Sequence, residues 1–217
     1  MVRRWVVALV LSLACMSDRK IAAAPSGSAA LLVAQGKQRE ADGDELSALK
    51  RYSDAIAIDP VNEEAYLALG ALRTKRNELM EAEGIYDVAV IRVPGSRSLY
   101  LARGKVRRLR GYAHEARVDL RRAWALEGNT TSLEELAIVR ELIAVAHDQR
   151  EPAAELLGWR RVLAIGRARN DATLTKEASV QARALALFVG EIDPVTIGRS
   201  SPEPARKSIA SVARRGG

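Results

Sequence analysis

Aromatic residues make up only 4% of the chain, with a single phenylalanine. So few stacking side chains give no aromatic platform for single-stranded nucleic acid, and no nucleic-acid partner is expected. Cysteine occurs once, at Cys15, so no internal disulfide can form. Only two histidines are present, His114 beside Glu115 and His147 beside Asp148. Neither has a cysteine or carboxylate at metal-ligand spacing, no HExxH occurs, and both read as surface residues. The Gly-Lys pairs in QGKQ and RGKV lack the earlier glycine of a P-loop, and no GxSxG nucleophile elbow is found. Alternating β-branched runs are scarce, and no segment reads as a strand. The sequence therefore predicts no catalytic residue, no metal and no cofactor.

What is abundant is helix-forming. Of the 217 residues 48% are hydrophobic, and Ala, Leu, Arg and Glu fill the middle of the chain. That composition predicts an all-helical protein. At the N-terminus Arg3 and Arg4 precede 13 uncharged residues, Trp5 to Ser17, closed by Asp18, Arg19 and Lys20. The run is too short to span a bilayer and fits the core of an export signal, read over residues 1–24. Two cleavage sites compete. SLAC resembles the bacterial lipobox, which implies lipidation at Cys15, although Leu13 is larger than usual at its position. IAAAP, with Ala22 to Ala24 before Pro25, fits ordinary signal cleavage, and an uncleaved segment is the third reading. Residues 25–28 (PSGS) read as a linker, and the Ser/Pro/Arg-rich residues 191–217 as a disordered basic tail.

Between these ends runs a period of 34 residues. Gly36, Gly70 and Gly104 share it, as do Ala48, Ala82 and Ala116, then Ala55, Ala89 and Ala123, and the bulky series Tyr52, Tyr86 and Leu120. Pro60 and Pro94 follow it too, with Gly128 in the third copy. A glycine inside a helix costs about 1 kcal/mol against alanine, so a recurring one argues for a close approach between helices. The bulky residue filling the vacated space is expected to be Tyr86 opposite Gly70.

These residues resemble the tetratricopeptide repeat (TPR): Tyr66, Leu69, Gly70, Ala82, Tyr86, Ala89 and Pro94 match its pattern, while Arg73 replaces an aromatic and Gln35 a leucine. The resemblance implies a right-handed superhelix, an α-solenoid of stacked helix-turn-helix units. Its boundaries are repeats at 29–62, 63–96 and 97–130, a degenerate fourth at 131–170, and a capping helix at 171–190. In the fourth copy Trp159, Val162 and Ile165 take the second-helix positions.

The resemblance also implies that a peptide or protein partner sits on a concave face built from the first helices. It places Val33, Leu67 and Leu101 there, Lys37, Ala71 and Lys105 one turn along, and Lys75 and Arg108 near the helix ends. An apolar stripe flanked by cations suits a peptide with aliphatic anchors and carboxylates; the plain alternative is that the aliphatics only pack within the superhelix. The family's chaperone-binding clamp is disfavoured, because its lysine, arginine and asparagine positions read Val33, Lys37, Ala68, Ser98 and Ala102.

The formal net charge of +7 is uneven. Repeats one and two each carry four Lys/Arg against six Asp/Glu, a balance of −2, whereas repeat three carries nine against three, +6. Arg103, Arg107, Arg110, Arg117, Arg121 and Arg122, with Lys105 and Arg108, are expected to form a basic patch. Such a patch is either merely solvated or attracts an anionic membrane surface or acidic partner. The sequence thus predicts a non-catalytic adaptor for protein-protein interaction, exported to a bacterial envelope as a periplasmic protein or anchored lipoprotein. It leaves the oligomeric state open.

Overall fold

The computed structural model describes residues 26–126 and 132–191, all of whose regular structure is helical. The readings of the export signal, Cys15 and the basic tail fall outside the described residues, Glu191 apart. The chain divides into two compact units, 1–128 and 129–217.

The first unit contains α1 (Ser26–Ala41), α2 (Glu45–Ile58), α3 (Glu63–Lys75), α4 (Leu79–Arg92), α5 (Arg97–Leu109) and α6 (Ala113–Ala125). Each odd helix packs on the even helix that follows it, and α2 meets α3 as α4 meets α5. The first helices also touch one another, α1 with α3 and α3 with α5. This is the all-α stack of helix hairpins that the period predicts.

The turns repeat as faithfully as the helices. Within each hairpin the first helix ends on a left-handed residue, Gly43 (φ 81°), Asn77 (φ 61°) and Gly111 (φ 85°), again at the 34-residue period. The next amide then reaches back to a carbonyl one turn inside: Asp44 to Arg39 at 2.8 Å, Glu78 to Arg73 at 2.9 Å and Tyr112 to Arg107 at 2.8 Å. This closure satisfies carbonyls the helix end would leave unpaired. Helix starts are capped by side chains: Asn62 accepts from the Ala65 amide at 2.9 Å and Ser96 from the Leu99 amide at 3.1 Å.

The recurring glycines mark the closest contacts inside the hairpins. A Cβ added at Gly36 would stand 2.4 Å from the Tyr52 ring, and one at Gly70 would stand 2.3 Å from Tyr86. Both tyrosines are buried, and burial pushes both phenols up, Tyr52 to about 12 with help from the Glu40 carboxylate that accepts its hydroxyl proton. At Gly104 the neighbour is Leu120 at 3.1 Å, a looser fit.

The second unit contains α7 (Ser132–Asp148), α8 (Pro152–Ala168) and α9 (Ala172–Phe188), packed in sequence. Val139, Ile143, Val162, Ile165, Leu174 and Ala178 form its core, with Trp159 packed beside them. Its close contact is reversed: the glycine, Gly158, lies on the second helix of the hairpin, and Ile143 on the first fills the space, 2.3 Å from a Cβ added there. On α9 only one stripe is covered: Ala182 and Ala186 are buried, while Phe188 is 78% exposed. Among the described residues no helix is long and apolar enough to cross a membrane.

Candidate functional site

The first helices of the first unit carry the predicted face. Lys37, Ala71 and Lys105 are exposed and occupy equivalent positions on α1, α3 and α5, so they form a row across contacting helices. Leu67 and Leu101 are half-buried beside that row. Leu67 is also packed against the core cluster of Tyr66, Tyr86 and Leu99.

Val33 differs from its counterparts. It is buried in the core with Ala29, Tyr52 and Leu69, so the row of apolar groove residues begins at Leu67. The physical reason lies two residues on: the position that buried Leu69 holds in repeat two is Gln35 in repeat one, which stays exposed, and Val33 supplies the apolar filling.

The cations along this face are mostly held by the protein's own carboxylates. Lys37 bridges α1 to α3 through Glu64 at 2.5 Å. Lys75 pairs with Glu45 at 3.1 Å, and Arg76 with Glu45 at 3.0 Å and Glu78 at 2.8 Å. The hydrogen bonds from Lys75 and then Arg76 hold the Glu45 carboxyl below its ordinary range. Arg108 is half-buried at the end of α5, and Lys105 makes no ion pair among the described residues.

The expected basic patch of repeat three does not stand open as one surface. Arg103, Arg107 and Arg110 turn inward to a cluster of carboxylates supplied by the two helices beside α5, namely α4 and α6. Arg103 grips Asp119 of α6 with two bonds, 2.9 Å from Nε and 2.5 Å from Nη2, and reaches Asp87 of α4 at 3.0 Å. Arg107 contacts Glu83 at 2.9 Å, Asp119 at 2.9 Å and Asp87 at 3.1 Å, and Arg110 donates to Glu83. Asp119 is 2% exposed. Burial alone pushes the Glu83 carboxyl up, but the bonds from Arg107 and Arg110 outweigh it and hold the group below its ordinary range. Three guanidinium groups thus face three carboxylates, two of them from repeat two, so the opposite charge balances of the two repeats meet across their junction. Arg121 and Arg122 remain exposed on α6, and Arg117 is half-buried.

The sequence analysis does not predict the cluster, though the period holds its signal. Arg103 stands where Leu69 stands one repeat earlier, and Asp119 where Ile85 stands. Two paired apolar positions have become an ion pair together.

Among the described residues no group of three His, Cys, Asp or Glu side chains is placed to hold a metal. His114 is exposed, and His147 lies at the surface 3.4 Å from Glu155.

No family model matches the chain, and no curated protein matches its sequence. Solved structures do. The chain is similar to the solved structure of Pseudomonas aeruginosa pilF, at 18% identity and a TM-score of 0.62, over 76% of this chain and 70% of that one. It is similar to MamA at 19% identity and TM-score 0.54, over 76% and 96%. It is also similar to the first TPR of Spaghetti (RPAP3), bound in that structure to an HSP90 peptide, at 21% identity and TM-score 0.52, over 59% and 98%. At such identities the likeness speaks for the fold alone, and the fold is that of the helical-repeat solenoids of tetratricopeptide type.

Proposed function

We propose that the chain is a non-catalytic adaptor that takes a peptide or a segment of a partner protein along the first-helix face. The observation that carries this reading is the exposed row Lys37, Ala71 and Lys105 beside half-buried Leu67 and Leu101 on helices that touch one another. Such a surface offers aliphatic contact with cations at its edge. Two features favour it over the anionic-membrane alternative: three arginines of the expected patch are engaged internally, and the face spans all three hairpins of its unit.

A partner captured by crosslinking to the full chain tests this. Ala71→Glu is expected to weaken its binding at least about tenfold, because it puts a bulky carboxylate where the row has its smallest side chain, blocking close approach at the centre of the face and repelling a partner's carboxylates. Arg121→Ala is expected to change it less than about threefold, and added salt to weaken it only modestly. Normal binding by Ala71→Glu, with loss in Arg121→Ala, would move the site to α6.

The proposal extends to location. The apolar run after Arg3 and Arg4 supports export, and SLAC supports anchoring at Cys15 in a bacterial envelope. Expression in a bacterium fed labelled palmitate should mark the protein, and Cys15→Ala should abolish the mark. A soluble exported product beginning within residues 22–26 would instead show ordinary cleavage.

A further inference from the structure

The first hairpin has no described helix before it, and the face that such a helix would cover is open. In repeat two the corresponding face of α3, Ala65, Leu69 and Leu72, is buried in one cluster with Leu49 of the preceding α2. In repeat three Leu99 and Val106 are buried with Val90 of the preceding α4, while Arg103, Arg107 and Arg110 receive its Glu83 and Asp87. In repeat one these positions are Leu31, Gln35, Gln38, Arg39 and Asp42. Leu31 is 58% exposed, although both of its equivalents, Ala65 and Leu99, are fully buried. Next to it lies a recess of about 400 Å³ lined by Gln35, Gln38, Arg39, Asp42 and Arg51 of α2. Neither Arg39 nor Arg51 forms an ion pair among the described residues.

We infer that this recess docks an amphipathic helix of a partner protein, carrying two carboxylates four residues apart and an aliphatic residue three further on. The helix would lie on α1 as α4 lies on α5. In this register Arg39 holds the place of Arg107 and Arg51 that of Asp119, so the two carboxylates of the docked helix would meet Arg39 and Arg51, while Asp42, which accepts from Gln38 at 2.9 Å, stands in the place of Arg110. The helix's aliphatic anchor would cover Leu31, as Val90 covers Leu99.

The charge pattern decides against the chain's own ends. At the matching register the upstream segment carries Cys15, Arg19 and Ala22, which would set Arg19 against Arg39. The C-terminal residues 192–217 carry five Lys/Arg against two Asp/Glu, the wrong sign for a recess whose charged lining is two arginines against one carboxylate, Asp42. A second copy does not fit through α9 either, whose one acid, Glu177, already bridges to Arg140 at 3.3 Å. The site is separate from the concave face, and it stands whether or not that face binds a peptide.

The α4 segment itself supplies the probe: a fluorescent peptide of residues 78–93, which holds Glu83, Asp87 and Val90 in the required spacing. Titrated with the full chain, it should bind saturably, and raised salt should weaken it. Arg39→Glu with Arg51→Glu should lower the affinity at least about tenfold, as reversing both cations of a charge-matched site would. A peptide with lysine in place of Glu83 and Asp87 should fail on the native chain and regain binding on that double variant. This swap keeps the test independent of any loss of folding in one protein. Absence of saturable binding to the native chain would show a merely solvated edge and overturn the inference. So would binding unaffected by the double variant, which would place the peptide at its native seat against α5. Loss on Ala71→Glu would assign it to the concave face and overturn the inference equally.

Discussion

Replacing Asp119 with alanine is expected to lower the stability of the first unit by on the order of 3 kcal/mol, among the largest effects of any single side chain here. The substitution removes a carboxylate that is 2% exposed and leaves Arg103 and Arg107, with side chains 14% and 18% exposed, facing each other without it. The cost lies in the stranded cations rather than in the lost attraction. Asp87 stays to compensate in part, which sets the expected value at the lower end for a broken buried pair. Urea unfolding of the native chain and the variant measures it. The companion variant, Arg103→Leu with Asp119→Ile, restores the apolar pair that repeat two carries as Leu69 and Ile85, and is expected to be neutral or stabilising. A loss below about 1 kcal/mol for Asp119→Ala would mean the cluster behaves as an ordinary surface network.

Gly70→Leu is expected to cost about 3 kcal/mol. Overpacking ordinarily costs 1–3 kcal/mol, and here even the first added carbon would stand 2.3 Å from the Tyr86 ring. The helix gains propensity from the change, so any net loss reports the collision. Gly84 on the neighbouring α4 supplies the contrast, since an added Cβ there meets nothing within 4 Å. Gly84→Ala should therefore raise stability by roughly 0.5–1 kcal/mol through backbone entropy alone. Thermal unfolding of both variants checks the pair. Gly70→Leu melting at or above the native temperature would count against the tyrosine-in-glycine packing of the hairpin.

The legibility of the hairpins follows from the period. A packing unit that recurs must place its small and large residues at fixed intervals, so Gly70 opposite Tyr86 is readable before any coordinate is known. The left-handed turn residues Gly43, Asn77 and Gly111 obey the same interval and were equally readable, although Asn77 disguises the series by replacing glycine. Gly158 against Ile143 was not, because the second unit reverses which helix carries the small residue.

By itself the sequence determined the helical class, the three hairpins with their repeat length, and the candidate row of first-helix residues, since each depends on local propensity or on spacing within one repeat. Tertiary structure alone decided how the charges are used. A count by repeat assigns +6 to the third copy, yet Arg103, Arg107 and Arg110 meet Glu83 and Asp87 of the second, because ion pairs form across the junction where the second helix of one repeat lies on the first of the next. Val33 likewise went to the core, since exposed Gln35 beside it left an apolar gap to fill. Spacing fixes which residues share a helix face; which of them are covered depends on the neighbouring helix, and that neighbour is a property of the folded stack.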